Sequence, residues 1–354
     1  MSKSPKDVLV TAYRVAQKSL KAYSHRCSPK KFTQHQLFAV LVFKAFLKTD
    51  YRGVVKHLED CPDLAEAIDL TKIPHFTTVH KAAKRLLKTV PVRTLLDETV
   101  RCHLGRRVRV PTAAIDSTGL ECSSASSYFV RRRKKVGEAW NKVVYHRYPK
   151  LGVVSDISSH FIYSYEARRG PKPDVNEFKS LVGQALTRIR ITTMLADAGY
   201  DSESNHSFAR DDHGIRSVIP AKLGRPTTKP ARGRYRRQMQ VRFNDKAYRQ
   251  RSQVETVMSM IKRRQGSHIR GRTYHSQCRD LCLMVLTHNI MILLWRYLFY
   301  RAVLTQSCSA QDMRGDNRCF EPNKWTCALV FISACCGAWR IRNAKRCVRR
   351  MSSG

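Results

Sequence analysis

Residues 108–120 read Val-Arg-Val-Pro-Thr-Ala-Ala-Ile-Asp-Ser-Thr-Gly-Leu, an apolar stretch that leads into a carboxylate at Asp116. Residues 193–197, Thr-Met-Leu-Ala-Asp, repeat this pattern and end on Asp197. Short apolar runs rich in β-branched residues are typical of buried strands. The sequence therefore predicts two strands, each of which carries an aspartate at or near its end.

The segment between these strands completes an α/β pattern. Residues 151–155 and 161–165 are two further strand-like runs, and residues 174–177 have the form of a helix-capping box. An apolar stripe over residues 178–189 follows at helical spacing. The order strand, strand, strand, helix, strand predicts an α/β fold with aspartates at the first and fourth strands.

A third acid, Glu255, lies in a predicted helix over residues 246–264. A helix would present four of its residues on one face, because they are spaced at offsets of 0, 3, 7 and 14: Tyr248, Arg251, Glu255 and Lys262. One interpretation is a functional face, on which the carboxylate binds a metal and the cations neutralise phosphates. The alternative is an exposed helix with an Arg–Glu pair worth only ~0.3–0.5 kcal/mol.

Three acids with apolar neighbours need a compensating charge, because burying a carboxylate is costly. Divalent cations such as Mg²⁺ prefer oxygen ligands, and two of them can activate a nucleophile and stabilise the leaving oxygen in phosphodiester cleavage. A lone aspartate at a strand end is more often a turn or cap residue. We interpret Asp156, Asp174 and Asp201 in that way.

The pattern Tyr-x2-Arg-x3-Glu-x6-Lys, formed here by Tyr248, Arg251, Glu255 and Lys262, resembles the signature of bacterial insertion-sequence DDE transposases. The segments 115–118 and 197–200 resemble the first and second aspartate motifs of that family, in the expected order. The resemblance covers roughly residues 30 to 300.

This resemblance implies an RNase H-like mixed sheet flanked by helices, with Asp116, Asp197 and Glu255 as catalytic residues holding two Mg²⁺ ions, for which Mn²⁺ could substitute. It implies hydrolysis at the terminal inverted repeats of a transposon, followed by attack of the freed 3′-hydroxyl on target DNA. The implied partners are double-stranded DNA and a second copy of the chain, as a homodimer.

The charge of the chain independently favours a polyanionic partner. Its 354 residues carry 66 Lys+Arg against 27 Asp+Glu, a formal net charge of +39. An excess of this size repels itself unless it is neutralised, so nucleic acid is the first expectation and an anionic membrane surface the weaker one. The predicted DNA-contacting residues are listed here: Tyr248, Arg251, Lys262, Arg131, Arg132, Arg133, Lys134 and Lys135. For residues 131–135 the alternative is a solvated loop.

The length suggests roughly two domains. We predict a helical DNA-binding region at 1–105, a catalytic domain at 106–300 with a short basic insertion near 222–245, and a basic, Cys-rich tail at 301–354. Residues 36–48 are predicted to form a helix with Lys44 and Lys48 turned outward. Residues 77–88 are predicted to form a basic helix, either of helix-turn-helix type or with an ordinary solvated face.

The apolar segment 281–295 is too short for the ~20 residues that span a bilayer, so we predict a buried helix and no membrane contact. Within it, His288 and Asn289 are interpreted as a satisfied buried polar pair. The N-terminus has no secretory signal, the cysteines have no C-x2-C spacing, and we expect unpaired thiols in a cytoplasmic, nucleoid-associated bacterial protein.

Two other functions remain open on the sequence alone. One is a non-catalytic DNA-binding protein derived from a transposase, against which the complete set of three acids argues. The other is a structure-selective nuclease on the same fold, which would hydrolyse DNA without strand transfer.

Overall fold

The computed structural model describes residues 4–105, 108–122, 129–136, 139–222 and 230–312. The predicted tail from residue 313 onward and residues 223–229 of the predicted insertion lie outside these ranges. Residues up to Leu298 form one compact unit.

Twelve helices and nine strands occur in the described ranges. The helices are α1 (Pro5–Ser19), α2 (Gln34–Phe46), α3 (Tyr51–Asp60), α4 (Pro62–Glu66), α5 (Phe76–Leu86), α6 (Thr89–Leu104), α7 (Phe178–Leu186), α8 (Glu203–Ser207), α9 (Arg234–Val241), α10 (Asp245–Tyr248), α11 (Ser252–Gln265) and α12 (Tyr274–Asp312). The strands are β1 (Arg109–Gly119), β2 (Glu121–Cys122), β3 (Phe129–Val136), β4 (Ala139–His146), β5 (Tyr148–Asp156), β6 (Ile162–Gly170), β7 (Arg190–Ala196), β8 (Arg216–Val218) and β9 (His268–Ile269).

The main sheet has five strands in the order β6-β5-β1-β7-β8. β5 runs antiparallel to both β1 and β6, whereas β7 runs parallel to both β1 and β8. The central strand is therefore the one that carries Asp116. This arrangement confirms the predicted RNase H-like mixed sheet flanked by helices.

The two faces of the sheet pack against different helices, as the alternation of side chains along a strand requires. Ala113 and Ile115 of β1 face a core that includes Phe178 and Leu181 of α7. Ala114, between them, faces a core that includes α11, α12 and the N-terminal helices. The sheet is thus the middle layer of the unit, and Asp116 shares a face with Ala114.

The N-terminal region is helical, as predicted, and shares the core of the α11 face. α2 begins at a capping box, in which Thr33 Oγ1 accepts from the Gln36 amide at 3.2 Å and Gln36 Oε1 accepts from the Thr33 amide at 2.9 Å. The prediction that Lys44 points outward is wrong, since its side chain is buried with Nζ 4.8 Å from the centre of the Tyr51 ring. An amphipathic lysine can bury its stem where an aromatic face receives the ammonium.

The predicted helix over residues 246–264 is interrupted. Residues 249–251 form a 3₁₀ turn between α10 and α11. Ser252 donates its hydroxyl to the Arg249 carbonyl at 3.1 Å, a local bond of the kind that competes with regular helix geometry.

The predicted basic insertion near residues 222–245 contains a helix, α9, which begins at Arg234. Glu203, about thirty residues earlier, caps this helix by accepting from the amides of Tyr235 at 2.9 Å and Arg236 at 3.1 Å. Arg236 also donates to the buried Asp201 at 2.9 Å. A cap that comes from so far along the chain leaves no local sequence signal.

α12 contains the apolar segment that was predicted to be a buried helix. By length and composition the stretch Tyr274–Leu294 could cross a membrane, but 78% of its apolar window is buried inside the protein. Asn289 bonds both the amide (3.0 Å) and the carbonyl (2.8 Å) of Ile162, and His288 Nε2 lies 2.9 Å from the His160 carbonyl. Both residues are buried as predicted and form these bonds, but the pair is not fully satisfied, because His288 Nδ1 has no hydrogen-bond partner among the described residues.

Candidate active site

Asp116 and Asp197 lie side by side at the same edge of the sheet. The parallel register pairs Ile115 of β1 with Ala196 of β7, so that the next residue of each strand is an aspartate. The two acids are 81 residues apart in the chain, and strand pairing makes them neighbours. Asp197 is exposed, whereas Asp116 is partly buried.

Glu255 reaches the same region from α11. Val254, Val257 and Ile261 bury the inner face of this helix against the sheet. Glu255, one residue beyond Val254, lies at the rim of the buried face. A cavity of about 330 Å³ opens there, and its lining residues are Asp116, Ser117, Thr118, Glu255, Met258, Ser259, Lys262 and Arg263.

The electrostatics of the cavity reflect a concentration of negative charge. The pKa of Asp116 is raised to about 6, mainly by burial and to a smaller extent by the neighbouring carboxylates of Glu255 and Asp197. The Ser117 amide and the Arg251 guanidinium act in the opposite direction but do not cancel the burial. The three predicted acids therefore interact with one another in the folded chain.

Arg251 provides positive charge among the three acids. Its Nη2 donates to Glu255 Oε1 at 2.5 Å, and its charge favours the ionised form of Asp116. Because side chains three residues apart lie above one another in a 3₁₀ turn, Arg251 lies beside Tyr248, with its guanidinium 5.8 Å from the centre of the Tyr248 ring. The Tyr248 hydroxyl lies 3.5 Å from Asp197 Oδ1. The structure thus places Tyr248, Arg251 and Glu255 around the two aspartates.

No three His, Cys, Asp or Glu side chains of the described residues stand close enough to form a metal site as they are arranged here. Chemically, however, the donors fit Mg²⁺ or Mn²⁺, since all three are carboxylates and one of them is a buried acid with two like charges nearby. Oxygen ligands of this kind suit hard divalent cations rather than zinc.

Basic groups flank the cavity on one side. Lys262 and Arg263 both line it about two turns of α11 beyond Glu255. The predicted run 131–135 forms part of β3, whose backbone pairs with β4 in a separate two-stranded ribbon. The side chains of Arg131, Arg132, Arg133, Lys134 and Lys135 lie outside the description, so their contact with DNA stays a prediction.

Sequence reasoning missed several residues. Ser259 and Arg263 stand four and eight residues after Glu255, and this helical spacing would have indicated them. The capping box expected at 174–177 is wrong: residues 174–176 form a 3₁₀ turn, and the Asp174 carboxylate accepts from the Ser117 hydroxyl at 2.6 Å. No signal in the sequence indicated that contact.

Comparison with known families gives one match. The model of a family described as "Transposase DDE domain" matches residues 111–290, which is 180 of the 354 residues and includes all three acids. No curated protein matches the sequence.

Similar solved structures include a cryo-EM structure of the piggyBac transposase synaptic complex with hairpin DNA, at 11% identity and a TM-score of 0.43 over 85% of this chain and 74% of that chain. A Mos1 transposase paired-end complex with the left transposon end is similar at 13% identity and a TM-score of 0.20, over 56% and 61% of the two chains. Likenesses this remote do not support a comparison of individual residues.

Proposed function

The chain belongs to the transposase DDE domain family, and on that premise we propose that it is an active DNA transposase of the insertion-sequence class. It would bind the terminal inverted repeats of its element as a homodimer, cleave the DNA strands there and join the freed 3′ ends to target DNA. The observation that carries the proposal is the convergence of Asp116, Asp197 and Glu255 on one edge of the sheet, two of them lining the same cavity.

We propose Asp116, Asp197 and Glu255 as the residues that hold two Mg²⁺ ions. When bound, such ions activate the attacking water or 3′-hydroxyl and stabilise the leaving oxygen. The pKa of Asp116 is raised to about 6, mainly by burial, so a bound cation would stabilise the ionised form of its carboxylate. Arg251, which donates to Glu255 Oε1, would hold Glu255 at the rim of the cavity.

The basic residues would bind the DNA backbone around the acids. Lys262 and Arg263 face the cavity, where they can neutralise the phosphates on either side of the cleaved bond. Tyr248, beside Asp197, can stack on a sugar or base or donate to a phosphate. Farther away, Lys81, Lys84 and Arg85 give α5 an exposed basic face, and we propose that it contacts the terminal repeat. We propose a cytoplasmic, nucleoid-associated location in a bacterial cell, a proposal that DNA as the partner supports.

Strand cleavage of a duplex that carries the terminal repeat of the element tests this proposal. We expect Mg²⁺- or Mn²⁺-dependent cleavage by the wild type and a loss of at least about a thousand-fold in Asp116→Asn. The matched control is Asp212→Asn, which changes an exposed aspartate outside the cavity and should cleave normally. If Asp116→Asn cleaves as fast as the wild type, the assignment of the site fails.

The two alternatives give different outcomes in the same assay. A structure-selective nuclease would cleave but would give no joined products after incubation with a second duplex. A non-catalytic DNA-binding protein would bind the terminal repeat without metal-dependent cleavage.

A further inference from the structure

A buried ion cluster lies on the face of the sheet opposite the three acids. Lys150 of β5 has a side chain only 6% exposed, and its Nζ donates to Glu177 Oε1 at 2.9 Å and to the Lys172 carbonyl at 2.9 Å. It also forms an ion pair with Asp174. One ammonium thus binds two carboxylates, of which Glu177 is almost fully buried.

Ser117 connects this cluster to the first aspartate. Its amide hydrogen-bonds the Asp116 carboxylate, and its hydroxyl donates to Asp174 Oδ1 at 2.6 Å. Successive side chains of a strand point to opposite faces, so Ser117 reaches the cluster while Asp116 faces the cavity. A shift of Asp174 would therefore move the peptide unit that positions Asp116.

The same turn is tied to the second aspartate. A side chain at Gly199, two residues after Asp197, would bring its Cβ to 3.2 Å from Asp174 Oδ2, so the two segments are in close contact. The buried Asn205 donates to the Val175 carbonyl at 3.0 Å and to the Tyr200 carbonyl at 2.9 Å. These bonds join the turn that carries Asp174 to the turn that follows Asp197.

We propose that Asp174, held in place by Lys150, is a positioning residue that fixes the distance between Asp116 and Asp197 and so sets the affinity of the site for divalent metal. Asp174 contacts both aspartate segments and lies behind the sheet from the cavity. Lys150 supplies the charge that lets the partly exposed Asp174 and the buried Glu177 lie close together. This inference rests on the proposed function of the three acids.

Two substitutions separate this role from general stability. Ser117→Ala removes the hydroxyl that joins Asp174 to β1 without leaving a buried charge unpaired. Asp174→Ala removes the carboxylate itself, whereas Asp174→Asn keeps an oxygen that can accept from Ser117. The matched control is Ser164→Ala, because Ser164 on β6 is fully buried and donates its hydroxyl to the Leu181 carbonyl at 2.7 Å, away from the acids.

The experiment measures the binding of Mn²⁺ to the full chain in the absence of DNA. The electron paramagnetic resonance signal of free Mn²⁺ reports how much of the ion stays unbound. We expect Ser117→Ala and Asp174→Ala to weaken Mn²⁺ binding by about 10- to 100-fold, as is typical when a partner of a metal ligand is removed. Asp174→Asn should lose less than tenfold, and Ser164→Ala should bind within twofold of the wild type. In cleavage, the Mn²⁺ concentration for half-maximal rate should rise by the same factor, while the maximal rate changes less than about fivefold.

Circular dichroism of each variant establishes that it is folded. If Asp174→Ala does not fold, the Mn²⁺ affinity of Ser117→Ala alone tests the inference. Wild-type Mn²⁺ affinity in the folded Ser117→Ala and Asp174→Ala variants would overturn the inference while leaving the proposed function intact. An Asp174→Asn defect as large as that of Asp174→Ala would also overturn it, because it would indicate direct ligation. A wild-type chain that binds no Mn²⁺ would overturn the proposed function and this inference together.

Discussion

The fold should lose stability in mild acid because of His288, which is buried in α12. Its side chain is 0% exposed, its Nε2 bonds the His160 carbonyl at 2.9 Å, and its Nδ1 has no hydrogen-bond partner among the described residues. Burial lowers the pKa of His288 from 6.5 to about 4, and the charge of His160 acts in the same direction. The imidazole is therefore neutral in the folded chain over most of the pH range.

The sign of the effect follows from proton linkage. Above pH 6.5 neither state of the chain protonates His288, and its contribution to stability is complete. Between pH 6.5 and about 4 the unfolded chain binds a proton that the folded chain does not, so the free energy of unfolding falls as the pH falls. A difference of about 2.5 in pKa corresponds to about 3.4 kcal/mol in full, of which about 2 kcal/mol is lost by pH 5.

Urea unfolding of the wild type and of His288→Gln, followed by circular dichroism from pH 7.5 to 4.5, measures this loss. Glutamine does not titrate and keeps an N–H donor for the His160 carbonyl. The difference in unfolding free energy between the two proteins should shift by about 2 kcal/mol in favour of the variant between pH 7.5 and 5. The same substitution at the exposed His57 is the control. A difference that stays constant to within about 0.5 kcal/mol would refute the buried neutral imidazole.

Three further outcomes are expected. Asn289→Ala should lower the free energy of unfolding by about 1–3 kcal/mol for each of the two Ile162 backbone groups it leaves unpaired; a urea-measured loss below about 1 kcal/mol in total would contradict this. Gly233→Ala should lower the free energy of unfolding by about 1–3 kcal/mol in a thermal unfolding assay, because φ is 101° there and the new Cβ would lie 2.2 Å from Glu203 Oε2. The control is Gly183→Ala on α7, where the new Cβ would have open space and the free energy of unfolding should stay the same or rise. The binding constant K for DNA should fall steeply as the salt concentration rises. If Lys134 contacts a phosphate, Lys134→Ala should reduce the slope of log K against log salt by about 0.9. A flat plot for the wild type would exclude binding to the phosphate backbone of DNA.

The elements around the acids could be predicted because each has a local signal. The apolar runs before Asp116 and Asp197 formed β1 and β7, which are buried on both faces, whereas the parallel register that makes the two acids neighbours is seen only in the folded chain. The stripe of Glu255 and Lys262 on one helix also appeared in the folded chain, where both line the cavity.

What the sequence did not predict depends on contacts between distant segments. The N-terminus of α9 is capped by Glu203, and Lys44 is buried because Tyr51 receives its ammonium. Asp174 was interpreted as a turn or cap residue, and only the fold brings it to Ser117, 57 residues earlier. Local patterns contain no information about such partners.

Cleavage of terminal-repeat DNA by the single variants Asp116→Asn, Asp197→Asn and Glu255→Gln and by the triple variant tests most directly whether the three acids form one site. Groups that act as a unit are not additive, so each single variant should lose at least about a thousand-fold in cleavage rate and the triple variant no more than the most severe single one. A Glu255→Gln protein within about tenfold of the wild type, or losses that multiply in the triple variant, would contradict a shared site.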